Sequence, residues 1–204
     1  MSLSPEALLA WMESRRSIRS FDDRPVPRPL LERILQAAGA APSAHNAQPW
    51  RFVVVSASEE RRRLADRMAD EFRRDLRADG LSDAQVEQRA GRAVERLVCA
   101  PAAVILCGTT AGADRVPGGR REQAERTMML QSVSLAGGQL LLAAHAEGLG
   151  ACWMCGPLFA PQTVRETLRL PTDWEPQALI VLGWPAEEPA PRDRRPLDDT
   201  VIWR

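Results

Sequence analysis

The sequence has no lysine and no tyrosine, so all 27 of its basic side chains are arginines. Without lysine there is no Schiff base, no pyridoxal-phosphate anchor and no phosphate-binding lysine of a Walker loop. Histidine is scarce too: His45 and His145 stand far apart in the chain, a poor basis for a histidine-rich metal centre. The four cysteines, Cys99, Cys107, Cys152 and Cys155, lack the paired CxxC…CxxC spacing of a zinc site, and no metal is expected. Neither sign of charge dominates, with 27 basic against 27 acidic residues. No global field therefore favours nucleic acid or an anionic membrane. Uninterrupted apolar runs fall well short of the roughly 20 residues that span a bilayer, and "MSLSPEALLAWMESRR" reads as a capped helix without a signal-peptide core. The expectation is a cytoplasmic protein whose partners are small molecules and a second copy of itself.

A chain of 204 residues suffices for one domain with a real core, and residues 1–204 are read as a single α+β unit. Ser4-Pro5 opens a short helix. Prolines at 25, 27 and 29 then block helix until Leu30, and a second helix runs from there to about Ala40. "RFVVV" and "PAAVILCG" read as buried strands. Between them, residues 59–97 form a charged, solvated helical hairpin that restarts near Ser82 and is a candidate lid. After the loop "TTAGADRVPGGRR", the pattern from Arg121 to Glu147 is apolar nearly all round and marks the central, buried helix. Gly137-Gly138 in its middle costs about 1 kcal/mol per glycine, which a close crossing would justify. "ACWMC", a helix at about 161–168, the strand "QALIVLGW" and a proline-rich tail complete the order α α β α α β α β α β.

"ACWMCGPLF" at 151–159 holds two cysteines three apart. A dithiol site needs its first cysteine exposed at a helix N-terminus, where the thiol pKa falls. Here Cys152 follows a helix-capping "GLG" and sits within an apolar strand. The favoured reading is buried cysteines in a core strand. A catalytic dithiol is the rival, and Cys155 lying beside a cofactor through its backbone is a third reading.

"RRSIRSF" gathers Arg15, Arg16, Ser17 and Arg19 within five residues, and Arg192, Arg194 and Arg195 form a second basic set near the C-terminus. Such clusters read either as solvated basic turns or as an anion clamp, since guanidinium forks match phosphate oxygens and a serine hydroxyl adds a donor.

The run "RRSIRSFDDRPVPRPLLERILQAAGAAPSAHNAQPWRFVVV", followed in order by "AAHAEGLGACWM" and "RRPLDD", resembles the FMN-dependent nitroreductase superfamily over nearly the whole chain. Within it, "RRDLRADGLSDAQVEQR", "AERTMM" and "LPTDWEPQALIVLGW" are similar to the reductase domain at the C-terminal end of bifunctional coenzyme F-420 γ-glutamyl ligases. Their ligase half is not in this sequence, which leaves the substrate open.

The resemblance implies a nitroreductase-like fold, with a mixed central sheet flanked by helices, in an intertwined homodimer with FMN at the interface. It implies that Arg15, Arg16 and Ser17 grip the FMN phosphate and ribityl chain, with Arg194, or its neighbour Arg195, as a C-terminal phosphate contact. Arg19 reaches the flavin pyrimidine. Pro42, Ser43 and Asn46 contact the ring from the partner subunit, with His45 inside that motif. Met154, Cys155 and Gly156 line the ring near N5. The implied activity is hydride transfer from NAD(P)H through FMN to a small acceptor: a nitroaromatic, a quinone, an enone or a didehydro precursor of F-420. It needs no catalytic side chain. The rivals are a non-catalytic flavin or deazaflavin carrier and a CxxC thiol oxidoreductase.

Overall fold

The computed structural model describes residues 4–111 and 118–204. Among them are six α-helices and four strands in the expected order: α1 (Pro5–Ser14), α2 (Arg28–Gly39), β1 (Trp50–Val55), α3 (Ser58–Ala78), α4 (Asp83–Val98), β2 (Ala102–Gly108), α5 (Gly119–Ala146), β3 (Gly150–Met154), α6 (Pro161–Leu168) and β4 (Glu175–Gly183). Local chemistry sets several boundaries. The Ser4 hydroxyl accepts from the Ala7 amide at 3.2 Å, and Ser82 and Gln85 form a reciprocal capping box that restarts the hairpin as α4. Helix α2 begins at Arg28 rather than Leu30, with Pro29 inside its first turn. There the missing N–H has no intrahelical acceptor to lose. The expected glycine-rich loop falls largely on residues 112–117, outside the described residues.

The strands form one sheet in the order β1-β2-β4-β3, and every neighbouring pair is antiparallel. The expected mixed character comes down to one isolated parallel bridge, Ser17 to Ala151. Both faces are covered. On one, Val104, Ile180, Leu182 and Ala151 pack with Leu31 and Ile34 of α2 and Leu140 and Ala144 of α5. On the other, Ile105, Cys107, Leu179, Val181 and Cys152 pack with Leu64 of α3, Leu97 of α4 and Val164 of α6. Burial on both sides is why β2 and β4 read as continuous apolar runs rather than alternating patterns. The hairpin is accordingly not a wholly solvated appendage. Its Leu64, Ala65, Leu76, Val86, Ala90 and Leu97 are buried, and only its outer surface carries ion pairs, of which Arg73–Glu87 and Arg77–Asp83 join α3 to α4.

Helix α5 differs from its sequence reading. It is buried along one stripe, Met129, Ser132, Val133, Ala136, Gly137, Leu140 and Ala144, whereas Leu135 is 51% exposed. Leu130, Leu141 and Ala143 beside that stripe are partly buried against the core. Gly137 meets the expected close approach, but the neighbour is the sheet: a Cβ there would lie 2.2 Å from Trp153 Cζ3 and 2.7 Å from Leu106 Cδ2. Gly138 faces open space. Among the described residues α5 is the one helix long and apolar enough to cross a membrane, and its buried stripe accounts for it as the helix packed across the sheet.

Candidate active site

Helix α1 stops at Ser14, and Arg15 turns the chain extended with φ −56° and ψ 136°. From there the chain is stitched down. The Ile18 amide donates to the Ala151 carbonyl at 3.1 Å, that of Asp22 to Trp184 at 3.0 Å, and that of Ala186 back to Ser20 at 3.1 Å. The arginine segment is thus a strap tied both to the β3 edge and to the chain leaving β4. Its side chains are held by backbone oxygens: Arg16 Nη1 donates to the Glu13 and Arg15 carbonyls at 2.7 and 3.0 Å, and Arg15 Nη1 to the Arg16 carbonyl at 3.2 Å. Arg194 Nη1 donates to the carbonyls of Arg192 and Asp193. Among the described residues, none of Arg15, Arg16, Arg19, Arg192, Arg194 and Arg195 is ion-paired with a carboxylate.

The two basic sets meet. Arg15, Arg16, Ser17 and Arg19 line one cleft of about 320 Å³ with Arg192, Arg194 and a single carboxylate, Glu187. Arg195 is not part of its wall. Arg192, a member of the second basic set, joins Arg194 in that wall.

Arg19 also lines a second, larger cavity of about 740 Å³. Cys152, Met154, Cys155 and Gly156 wall it on the sheet side, with Met68 and Phe72 of α3, Arg89, Arg92 and Arg96 of α4, and Phe159 around it. The strap cleft and the cavity therefore share Arg19. From sequence, the charged 59–97 hairpin reads first as a solvated face and second as an acceptor of an anionic substrate tail, and nothing local marks out the individual α4 arginines.

All four cysteines are free, with Cys107 and Cys152 buried and Cys99 and Cys155 exposed. Burial pushes the Cys107 thiol up to about 12. It also raises that of Cys152, although Arg19, Arg96 and Arg15 and a hydrogen bond with Ser17 pull the other way. The Trp153 indole N–H donates to Cys155 Sγ at 3.3 Å. A raised, buried thiol is the opposite of what a dithiol nucleophile needs. Ellman's reagent should accordingly titrate Cys99 and Cys155 in the native protein and the other two only after denaturation. Rapid native modification of Cys152 would refute the buried assignment.

Pro42, Ser43 and Asn46 do not join the arginines within one chain. They flank a turn docked on α5, where the Ala44 amide donates to Ser132 Oγ at 3.3 Å and the Gln48 amide to Ser43 Oγ at 3.0 Å. His45, Asn46 and Gln48 all have positive φ, near 50°. Such backbone costs about 1–3 kcal/mol per residue and concentrates at functional sites. Pro42, His45 and Asn46 are exposed, and His45 faces a small third cleft with Met128 and Ser132.

The chain that folds in this way matches the family model of the nitroreductase family over residues 12–184. The chain belongs to this family. It is 36% identical to an NADH dehydrogenase of Thermus thermophilus, over 93% of this chain and 92% of the relative. It is 34% identical to a 5,6-dimethylbenzimidazole synthase of Rhodospirillum rubrum, over 90% of this chain and 82% of the relative. A BluB-like flavoprotein from Clostridium difficile shares the fold, with a TM-score of 0.79 at 22% identity, over 97% of this chain and 98% of the other. This nitroreductase-family chain is an oxidoreductase.

Proposed function

We propose that this oxidoreductase binds FMN and carries hydride from NADH or NADPH to a small organic acceptor, working as a homodimer. The reading is carried by the convergence of Arg15, Arg16, Ser17, Arg19 and Arg194 on one cleft, with Arg19 common to the cavity walled by Met154, Cys155 and Gly156. The residues suit the group at both ends. Guanidinium forks without carboxylate partners match a phosphoryl dianion, and an adjoining half-apolar cavity suits a planar ring. Arg15, Arg16, Ser17 and Arg194 would hold the phosphoryl end, with Arg195 outside the wall. Arg19 would place positive charge beside the ring, where it favours the reduced anionic form. When bound, the flavin supplies two-electron chemistry between donor and acceptor. The chain's own part is to bind, orient and exclude water, and no side chain is assigned a proton-transfer role.

A second copy supplies what one chain lacks. Pro42, Ser43 and Asn46 are set apart from their own arginine cleft, as residues serving the partner's cofactor would be. The apolar surface needed for association is present: α1 has no buried residue, Leu9 and Leu135 are exposed, and Ile202 and Trp203 are each 80% exposed.

Relatives of comparable identity bear names of different activities, so the acceptor is selected by the cavity rather than by the family. Nitroaromatics, quinones, enones and a didehydro precursor of F-420 are the candidate acceptors. The thiol alternative is disfavoured by the buried Cys152. The test is the absorbance spectrum of the purified protein, identification of the ligand released on denaturation, and anaerobic titration with NADH and NADPH. Flavin bands that bleach with either donor are the expected result. A colourless protein that takes up no added FMN refutes the reading, and bound FMN that neither donor bleaches leaves a carrier instead.

A further inference from the structure

The wall of the larger cavity carries an unbalanced row of charge. Arg89, Arg92 and Arg96 follow one another at helical spacing, so they share one face of α4, and all three line the cavity. Elsewhere on the hairpin, five arginines are matched: Arg63 with Glu60, Arg67 with Glu166, Arg73 with Asp70 and Glu87, Arg74 with Glu71, and Arg77 with Asp83 and Glu87. Arg61, which donates to the Ser56 carbonyl, and Arg62 are not, and neither lines the cavity. Among the described residues, Arg89, Arg92 and Arg96 have no carboxylate partner. One carboxylate, Glu71, lines the cavity, but it is engaged by Arg74 and accepts from Thr163 Oγ1 at 2.8 Å. Asp83 and Glu87 of α4 are drawn across to α3. With Arg19, the wall therefore holds four arginines against one carboxylate already paired.

The same cavity also has apolar groups in its wall. Phe72 is 36% exposed and Phe159 72% exposed, and both line the same cavity with Met68. Three side chains spread over two helical turns span about 10 Å, more than one carboxylate covers. The wall thus combines apolar surface with a line of cationic side chains along α4.

We infer that this face of the cavity is a tail-binding subsite: Arg89, Arg92 and Arg96 take the extended, multiply anionic tail, carboxylate or phosphate, of a substrate whose planar apolar head lies against Phe72 and Phe159. The inference rests on the oxidoreductase reading for which head reacts, but not for the binding of the tail. The tail belongs either to the acceptor or to the nicotinamide donor, whose adenosine end is also polyanionic. A row of unpaired guanidinium groups in a recess concentrates such ligands and makes their capture dependent on salt.

The test compares the parent with the triple variant Arg89→Gln, Arg92→Gln, Arg96→Gln, and with the matching triple lysine variant. Anthraquinone-2,6-disulfonate serves as anionic probe and an uncharged naphthoquinone as its neutral counterpart. Direct binding of the disulfonate to the oxidised protein, followed by fluorescence quenching, should weaken about 30-fold or more in the glutamine variant. The parent's affinity should fall steeply with salt, and lysine should restore most of the binding. In turnover, the kcat/KM preference for disulfonate over the neutral quinone should fall by a similar factor. A fall in the preference for NADPH over NADH, with the acceptor preference intact, assigns the same subsite to the donor. Disulfonate binding that is equal in parent and glutamine variant, at low and high salt, overturns the inference. Because binding is read without turnover, that result is distinguishable from failure of the flavin reading, which a colourless parent would reveal. Should the triple variant fail to fold, Arg89→Gln and Arg92→Gln singly, both at exposed positions, carry the same comparison.

Discussion

Replacing Arg15 and Arg16 together by alanine is expected to strip the protein of FMN while leaving it folded. Both side chains are half-buried and bond only to backbone carbonyls of their own segment, so their loss removes no core contact. Substitutions away from core and network features usually fall within about 0.5 kcal/mol. Cofactor affinity should respond far more. A hydrogen bond to a charged group contributes about 1.5–3 kcal/mol. Losing two corresponds to roughly a hundredfold to ten-thousandfold weaker binding. Flavin content per polypeptide, read from absorbance, and a thermal melt measure the two halves of this expectation. Unchanged flavin occupancy would remove the proposed clamp.

The second large effect is expected at Gly150, a residue with no chemistry of its own. A Cβ there would sit 2.6 Å from Ile18 Cβ and 2.7 Å from both its γ carbons. These are not the far end of a flexible chain, and Ile18 is pinned by its amide to the carbonyl of Ala151. In Gly150→Ala the strap must therefore move away from β3. Overpacking of this kind costs about 1–3 kcal/mol. Because the strap carries Arg15, Arg16, Ser17 and Arg19, stability and FMN binding should fall together, seen as a lower denaturation midpoint and lower flavin content. A variant with parental stability and full flavin would show that the strap is not held by this contact.

Much of the architecture was legible because it follows from near neighbours. Ser4-Pro5 and Ser82 announced their helices through capping chemistry, and β2 and β4 showed as apolar runs. Helix α5 departs from its expected burial on all sides for a physical reason. Apolar residues all round a helix imply cover on every side but not cover by the same chain, and Leu135 and Gly138 stay open here. In the site, Arg15 to Arg19 could be noticed as a cluster because they are adjacent. Their meeting with Arg194 depended on pairing of the strap with Ala151 and Trp184, and no local pattern encodes that. The α4 arginines read from sequence either as solvated charge or as part of an anion-accepting hairpin, and what bears on the choice is which carboxylates α3 already takes.

By itself, the sequence determined the chemistry this chain cannot do and the order of its helices and strands. Missing lysines remove whole mechanisms, and backbone preferences act over a few residues. Tertiary structure alone decided which arginines share a cleft, which lack a carboxylate, and whether the Cys152 thiol is buried. The shared cleft depends on contacts between residues more than a hundred positions apart, such as Ile18 with Ala151 and Asp22 with Trp184. The free arginines and the buried thiol depend instead on how α3, α4 and α6 pack on each other and on the sheet.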